Sequence, residues 1–250
     1  MGMPTFGNIL TIGHVQAENE LYKHYHYPEM LIRYDSNFIA FKRMPSIHEF
    51  KETEEFLKAF HLVHNQSHLK FEFPDNEKPD EGLCQYFKDS GYDVGWLELY
   101  FIRPHDFLGS GKHAAITVSE VTERNLNDFI DLQYETDKQN GETFAEGKVD
   151  LNRQQFEDEK FIKVLAYYGG APAGTMNVIV SDKFVEIDDL AVQEVFRRKG
   201  IGSQLQQFVM DRFPDHTVIL VADGEDTPKE MYQRQRYKCA GFKYEVQRID

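Results

Sequence analysis

Arg197-Arg198-Lys199-Gly200-Ile201-Gly202-Ser203 is the stretch on which the reading of this chain turns. Two glycines one residue apart let the backbone turn tightly and expose successive N–H groups. Before the run lies an apolar strand end, Ile187-Asp188-Asp189-Leu190-Ala191-Val192; after it, Gly200–Arg212 places Ile201, Leu205, Phe208 and Val209 on one helical face. Amides at a helix start, backed by the positive end of the helix dipole, form an anion site. Three consecutive cations precede it, and the occupant this chemistry asks for is a pyrophosphate. Two nucleotide motifs fail letter by letter. A dinucleotide fingerprint needs a third glycine where Leu205 stands, and a P-loop needs a Lys between Gly202 and Ser203. Gly111-Lys112 fails too, with Asp106 at the first glycine position and His113 in place of the hydroxyl.

Downstream, Val218–Ala222 is an apolar, β-branched strand, Pro228–Arg236 a helix opening on Pro with Asp226 as its cap, and Ala240–Ile249 a last strand. Upstream, Ile116–Val121 is a strand, and Thr122 offers an N-cap for a helix over Asn125–Lys138 carrying Leu126, Phe129, Ile130 and Leu132. A second helix runs from about Leu151 to Lys160. Phe161–Tyr168 and Ala173–Val180 form a hairpin through Gly169-Gly170-Ala171-Pro172, and Phe184–Val192 follows as a third strand. The order β-α-α-β-β-β-α-β-α-β predicts a mixed α/β layer fold, a central sheet flanked by helices.

Pro104–Lys112, with Pro and two Gly, reads as a linker that divides residues 1–112 from 113–250. In the first segment Met30–Arg33 and Phe38–Lys42 are strand candidates joined by the turn Tyr34-Asp35-Ser36-Asn37. Ile47–His64 reads as a helix with Phe56, Phe60 and Val63 inward, and His68–Phe73, Asp80–Ser90 and Trp96–Ile102 as strand, helix and strand. His68–Phe73 matches His216–Val221 loosely, and Tyr86–Tyr92 matches Met231–Tyr237, which suggests two related modules.

The basic glycine turn resembles the acetyl-CoA-binding signature of the GNAT N-acetyltransferase superfamily, Arg/Gln-x-x-Gly-x-Gly/Ala, met here by Arg197, Gly200 and Gly202. The preceding strand is similar to the family strand that ends in a Leu-Ala-Val-like run, and the resemblance covers about Ile116 to Ile249. It implies a GNAT-like mixed sheet, with the N-terminal half a smaller, degenerate GNAT-like module that packs on the C-terminal half and shapes the acceptor site. It further implies that Leu190, Ala191 and Val192 receive the pantetheine arm and thioester. The segment from Arg197 through Arg198, Lys199, Gly200, Ile201 and Gly202 to Ser203 would hold the pyrophosphate. A base must deprotonate the acceptor ammonium, since only the neutral amine attacks. Glu186, Asp188 and Asp189 are the candidates, with Glu186 and Asp188 on one face of the strand by alternation and Asp189 on the other. The family's general acid is a Tyr in a Tyr-x-x-x-Gly-Phe pattern. Tyr232 fits if Arg236 replaces the Gly, whereas Tyr237 fits the letters through Gly241-Phe242 but would push the helix into the last strand. At the position of Tyr232 the first segment has Phe87, which has no hydroxyl, and that segment has no basic glycine turn.

Composition bounds the reading. Of 250 residues, 28 are Lys or Arg and 42 Asp or Glu, a formal charge of −14, and 41% are apolar, enough to bury a core. That charge argues against nucleic acid, which needs basic clusters to release counterions, and it suits a cationic amine, small or peptidic. Cys84 and Cys239 make neither a disulfide framework nor a four-thiolate site, and His61, His64 and His68 lack carboxylate partners, so no metal is expected. These histidines read as solvated, and His24-Tyr25-His26-Tyr27 as an exposed aromatic turn. No secretory signal and no apolar run of roughly 18 residues is visible, so a cytoplasmic protein away from membranes is expected. The oligomeric state is left open, a dimer among the options. The sequence thus leads to transfer of an acetyl group from acetyl-CoA to a primary amine by direct attack. The alternative is a non-catalytic CoA-binding sensor or interaction protein on the same fold.

Overall fold

The computed structural model describes residues 2–109, 111, 113–225 and 228–249. It separates into two compact units, one of residues 1–99, 222–227 and 240–250, the other of 100–221 and 228–239. The strands are β1 (His14–Glu18), β2 (Tyr22–His26), β3 (Phe38–Phe41), β4 (His68–Glu72), β5 (Asp93–Ile102), β6 (Ile116–Glu120), β7 (Phe161–Tyr168), β8 (Ala171–Val180), β9 (Phe184–Val192), β10 (Thr217–Asp223) and β11 (Lys238–Ile249). The helices are α1 (Ile47–Val63), α2 (Glu81–Asp89), α3 (Leu126–Asp137), α4 (Glu142–Phe156), α5 (Ile201–Arg212) and α6 (Pro228–Arg234). From β6 onward the element order is the one read from the sequence, and the fold is mixed α/β.

The second unit orders its strands β10-β9-β8-β7-β6, antiparallel except for the parallel β9–β10 pair, which α5 connects. Val164, Met176, Val178, Val185, Leu205 and Val209 are all at 0% exposure in its core. The N-cap of α3 is Asn125 rather than Thr122. The Thr122 N–H and hydroxyl both donate to Asn125 Oδ1, so Thr122 closes the turn before the helix instead of capping it. The expected Asp226 cap of α6 lies outside the described residues.

The first unit orders its strands β1-β2-β3-β4-β11-β5, with a parallel β3–β4 pair joined by α1. Here the sequence misleads. Met30–Arg33 is no strand: Pro28–Met30 is a 3-10 turn, and Asn37 Nδ2 donates to the carbonyls of Met30 (3.1 Å) and Arg33 (2.9 Å). Those carbonyls are spent locally, and Pro28 has no N–H for a ladder. The inward stripe of α1 is Phe50, Thr53, Glu54, Leu57 and His61, whereas Phe56 is 39% and Val63 79% exposed. Glu54 is buried because its carboxylate accepts from the Tyr92 hydroxyl (2.7 Å), the Tyr86 hydroxyl (2.5 Å) and Arg248 Nη1 (3.1 Å). A polar residue with all its bonds satisfied can sit where an apolar one is expected.

The histidines are likewise inside. His24-Tyr25-His26 lies in β2, with His24 at 0% and His26 at 6% exposure, and His61 and His68 are at 1% and 2%. His24 packs edge-on against Phe60 (4.5 Å between ring centres), His26 on His64 (4.8 Å), and His68 on Tyr34 (4.0 Å). His61 Nδ1–H donates to the His68 carbonyl (2.6 Å), and His68 Nε2–H to that of Asn37 (2.9 Å). Among the described residues no group of three His, Cys, Asp or Glu is arranged to hold a metal, no disulfide forms, and no helix is long and apolar enough to cross a membrane.

The loose repeat has a geometric counterpart. β4 and α2 in the first unit occupy the same place in the chain order as β10 and α6 in the second. Gly91 ends α2 at φ 73°, with the Tyr92 N–H donating to the Phe87 carbonyl at 2.9 Å. Arg236 follows α6 at φ 72°, with the Tyr237 N–H donating to the Tyr232 carbonyl at 2.9 Å. Both are Schellman endings, in which a left-handed residue lets the chain reverse and satisfy the last carbonyls.

Two predictions follow from these packings. Burial, reinforced by the neighbouring imidazoles, lowers His24 to about 4, and burial lowers His68 to about 4. The folded state therefore favours the neutral rings, a contribution present above the ordinary value near 6.5 and lost as pH falls toward 4. Each should cost about 2 kcal/mol between pH 7 and pH 5. Denaturant midpoints across that range should fall, and the fall should shrink in His24→Phe. A pH-independent midpoint contradicts the assignment. Separately, Arg236→Gly removes the left-handed strain of a residue with a Cβ and should raise the unfolding free energy by roughly 0.5–1 kcal/mol, read by equilibrium denaturation.

Candidate functional site

The site is built around a fault in β9. Its parallel pairing with β10 runs from Phe184↔Thr217 to Ile187↔Leu220 and stops, while β9 continues to Val192. On the other side, Thr175 faces Ala191 and Asn177 faces Asp188, so β9 carries one residue more than β8 between these pairs. Such a bulge bends the strand and raises its twist. Asp189 takes up the extra residue at φ 48°. The alternation that puts Glu186 and Asp188 on one face holds up to this point and is broken by the bulge. Leu190, Ala191 and Val192 follow the bulge, half-buried.

Immediately after β9, the chain turns through Glu194–Phe196 and enters the basic run. Arg197 Nε donates to the Val192 carbonyl (3.3 Å), and Lys199 Nζ lies over the rings of Tyr168 (4.7 Å) and Phe196 (5.2 Å). Arg198 is exposed at φ 61° and Gly200, the N-cap of α5, stands at φ 88°. Gly200 offers no side chain to cap the helix, and the first turn of α5 carries no acidic residue. The Gln204 N–H to the Gly200 carbonyl (3.0 Å) is the bond that opens the helix. A Cβ on Gly202 would stand 3.6 Å from Leu190 Cδ2 and 3.8 Å from Val192 Cγ2, ordinary contacts that set this glycine beside the strand end. Gly174 makes that approach close: a Cβ there would meet the Ala191 carbonyl at 2.9 Å and Ile201 Cγ2 at 3.1 Å.

The corresponding connection of the first unit is closed. Helix α1, which joins the parallel pair β3–β4, has Ser46 as N-cap, with a reciprocal box. The Glu49 N–H donates to Ser46 Oγ (3.3 Å), and the Ser46 N–H to Glu49 Oε2 (2.8 Å). Arg43 also bonds Glu49, and together these partners hold its carboxyl down at about 2. This helix start already holds an anion of its own.

Of the three acids named from sequence, Glu186 is buried and Asp188 half-buried, both in β9. Asp189 is engaged through its Oδ2 by Lys148 Nζ at 2.5 Å and Asn177 Nδ2 at 3.5 Å. Tyr232 lies in α6, half-buried, its ring 5.3 Å from that of Tyr100 and 5.5 Å from that of Tyr237. Gly241 and Phe242 fall within β11, so Tyr237 starts no helix of its own. The Tyr237 hydroxyl is buried, and burial with the adjacent Tyr232 pushes it well above the usual phenol range.

Sequence reading misses the polar side chains beneath the bulge: Gln133 of α3, Lys148, Asn152 and Gln155 of α4, Lys163 of β7 and Asn177 of β8, all buried. Lys163 Nζ donates to Asn152 Oδ1 (2.7 Å), Gln155 Oε1 (3.1 Å) and Asn177 Oδ1 (3.1 Å). Burial, aided by repulsion from Lys148, lowers its amine to about 7. The signal available was the spacing of Lys148, Asn152 and Gln155 at i, i+4 and i+7, a helical stripe written in polar letters.

Three comparisons bear on this geometry. A family model described as the acetyltransferase (GNAT) family matches residues 126–242, and a domain of unknown function, DUF5613, matches residues 5–100. A functionally unknown conserved protein from Staphylococcus epidermidis ATCC 12228 is similar throughout, with 32% identity over 99% of this chain and 98% of its own and a TM-score of 0.90. A GCN5-related N-acetyltransferase from Kribbella flavida shares 16% identity over 94% of this chain and 89% of its own, at TM-score 0.61. A tandem GNAT protein from the clavulanic acid biosynthesis pathway shares 10% over 85% and 75%, at TM-score 0.52. The last two show likeness of fold alone. No curated protein matches the chain.

Proposed function

Since residues 126–242 belong to the acetyltransferase (GNAT) family, we propose that the chain transfers an acetyl group from acetyl-CoA to a primary amine, small or peptidic. The activity is assigned to residues 113–250 and the degenerate module to 1–112. The observation that carries this reading is the juxtaposition in one unit of the β9 bulge with a helix start that is glycine-capped and free of acidic residues in its first turn. A helix start with no side-chain cap, a glycine with room for a neighbour and three nearby cations suit a pyrophosphate. Arg197 to Ser203 would hold it, with Leu190, Ala191 and Val192 along the pantetheine arm. When bound, acetyl-CoA supplies an activated thioester carbonyl.

The chain's own residues manage protons and position. Glu186, or Asp188 on the same face, accepts the proton of the acceptor ammonium, directly or through water, and frees the lone pair for attack. Asp189, held by Lys148, is the weaker of the three candidates. The Tyr232 phenol gives its proton to the departing thiolate sulfur, so the amide forms as the carbon–sulfur bond breaks. The net charge of −14 favours a cationic acceptor over an anionic one, and the reading places the reaction in the cytoplasm.

Isothermal titration should show acetyl-CoA binding to the native protein, and no heat at millimolar ligand sinks the proposal. Gly202→Val should weaken binding at least about tenfold with the fold retained, because the protein itself leaves room for a Cβ there. Tyr232→Phe should lower turnover on the order of 10²-fold with acetyl-CoA affinity little changed, the loss expected of a missing general acid. Binding without transfer to a broad amine panel would instead favour a CoA-binding sensor.

A further inference from the structure

The polar network under the bulge is costly and local. Two lysines, Lys148 and Lys163, are buried at 6% and 2% exposure where the neighbouring helix–sheet contact is made by Phe129, Ile130, Leu132 and Leu165. Buried charges of this kind are commonly no more stabilising than apolar residues of the same volume. The network converges on one residue. Asp189 is gripped at its carboxylate, by Lys148 and Asn177, and at its carbonyl, by Gln133 Nε2 at 3.4 Å. Lys163 spends its three donors on Asn152, Gln155 and Asn177, and by taking the Asn177 oxygen it turns that amide's NH2 toward Asp189. Helices α3 and α4 and strand β8 thus all hold the residue whose left-handed backbone makes the bulge.

We propose that Lys148 is a positioning residue: through its ion pair with Asp189 it holds the β9 bulge, and with it the backbone of Leu190 to Val192, in the arrangement that receives the acyl-bearing arm of the donor. The inference rests on the acetyltransferase reading for its functional consequence, and on geometry alone for the clamp. Without the ammonium, Asp189 loses the ion pair with Lys148, and the left-handed residue has less to hold it against relaxation. The phosphate turn lies outside the network, so the two ends of the donor should respond differently.

The test compares Lys148→Met, Lys148→Arg and the double variant Lys148→Met with Asp189→Asn. Two probes are titrated: acetyl-CoA, and adenosine 3′,5′-bisphosphate, the nucleotide end of coenzyme A. Amide hydrogen exchange is followed in the peptide spanning residues 186–193. Lys148→Met should weaken acetyl-CoA at least fivefold, leave the nucleotide within twofold, and speed exchange in that peptide. Lys148→Arg should recover most of the loss, and the double variant should fall no further than Lys148→Met, since both changes break one interaction. Equal weakening of both probes marks a merely structural role and overturns the proposal, as does the absence of any effect. If Lys148→Met does not fold, the charge-neutral double variant carries the same comparison. If the native protein binds neither probe, the acetyltransferase reading fails by itself, and unchanged exchange in the 186–193 peptide then overturns the clamp.

Discussion

β9 must satisfy two demands that an ideal strand cannot meet together. Up to Ile187 it pairs on both sides, with β8 and with the parallel β10; beyond Ile187 only the β8 pairing continues. One extra residue, Asp189, absorbs the difference by adopting a left-handed conformation. A residue other than glycine pays for that conformation, and such strain persists only where the surroundings over-determine it. Here Lys148, Asn177 and Gln133 supply the surroundings. The close approach of α5 follows from the same bend, and Gly174 is the residue of β8 that lets the Ala191 carbonyl and Ile201 come so near.

Both units use the same topological device, a parallel pair joined by a helix, yet the two helices start differently. The difference lies in a few atoms at the helix start. Ser46 and Glu49 fill the amides of α1 from within the chain, with Arg43 bonded to Glu49. Gly200 leaves the start of α5 without a side-chain cap. The device is shared and the groups at the helix start are not, and it is such groups rather than the fold that carry chemistry. The same contrast runs through the two Schellman endings. Gly91 and Arg236 adopt nearly one φ, but the helix before the first carries Phe87 where the second carries Tyr232.

What could be read from the sequence was what is local in it. From β6 to β11, apolar periodicity, glycine turns and proline starts agree, so the order of elements was legible. So was the basic glycine turn, because strand end, cations and helix start are contiguous. The first unit resisted because its core is partly polar. Glu54, His61, His24 and His26 are buried through hydrogen bonds or aromatic stacking, so a count of apolar letters turned α1 the wrong way and took β2 for a turn. The Lys148–Asp189 pair lies 41 residues apart in sequence, and no local pattern announces it. The same holds for the bulge, which exists only as a mismatch between two strands.

Placed against a net charge of −14, four cations of the second unit show a common use. Arg197 is tied back to the last carbonyl of β9, and Lys199 is laid on Tyr168 of β7 and on Phe196. Lys148 clamps the bulge, and Lys163 orients the amide beside it. These side chains engage the protein's own groups: a carbonyl, two aromatic rings, a carboxylate and side-chain amides. On the proposed reading, attraction for phosphate is assigned to the backbone amides at the start of α5 and to the exposed Arg198. A loop fixed at both ends loses little freedom on binding, and affinity gained that way does not require a strongly basic surface. On the proposed reading, an acidic chain thus offers a site for an anion while its net field favours a cationic acceptor.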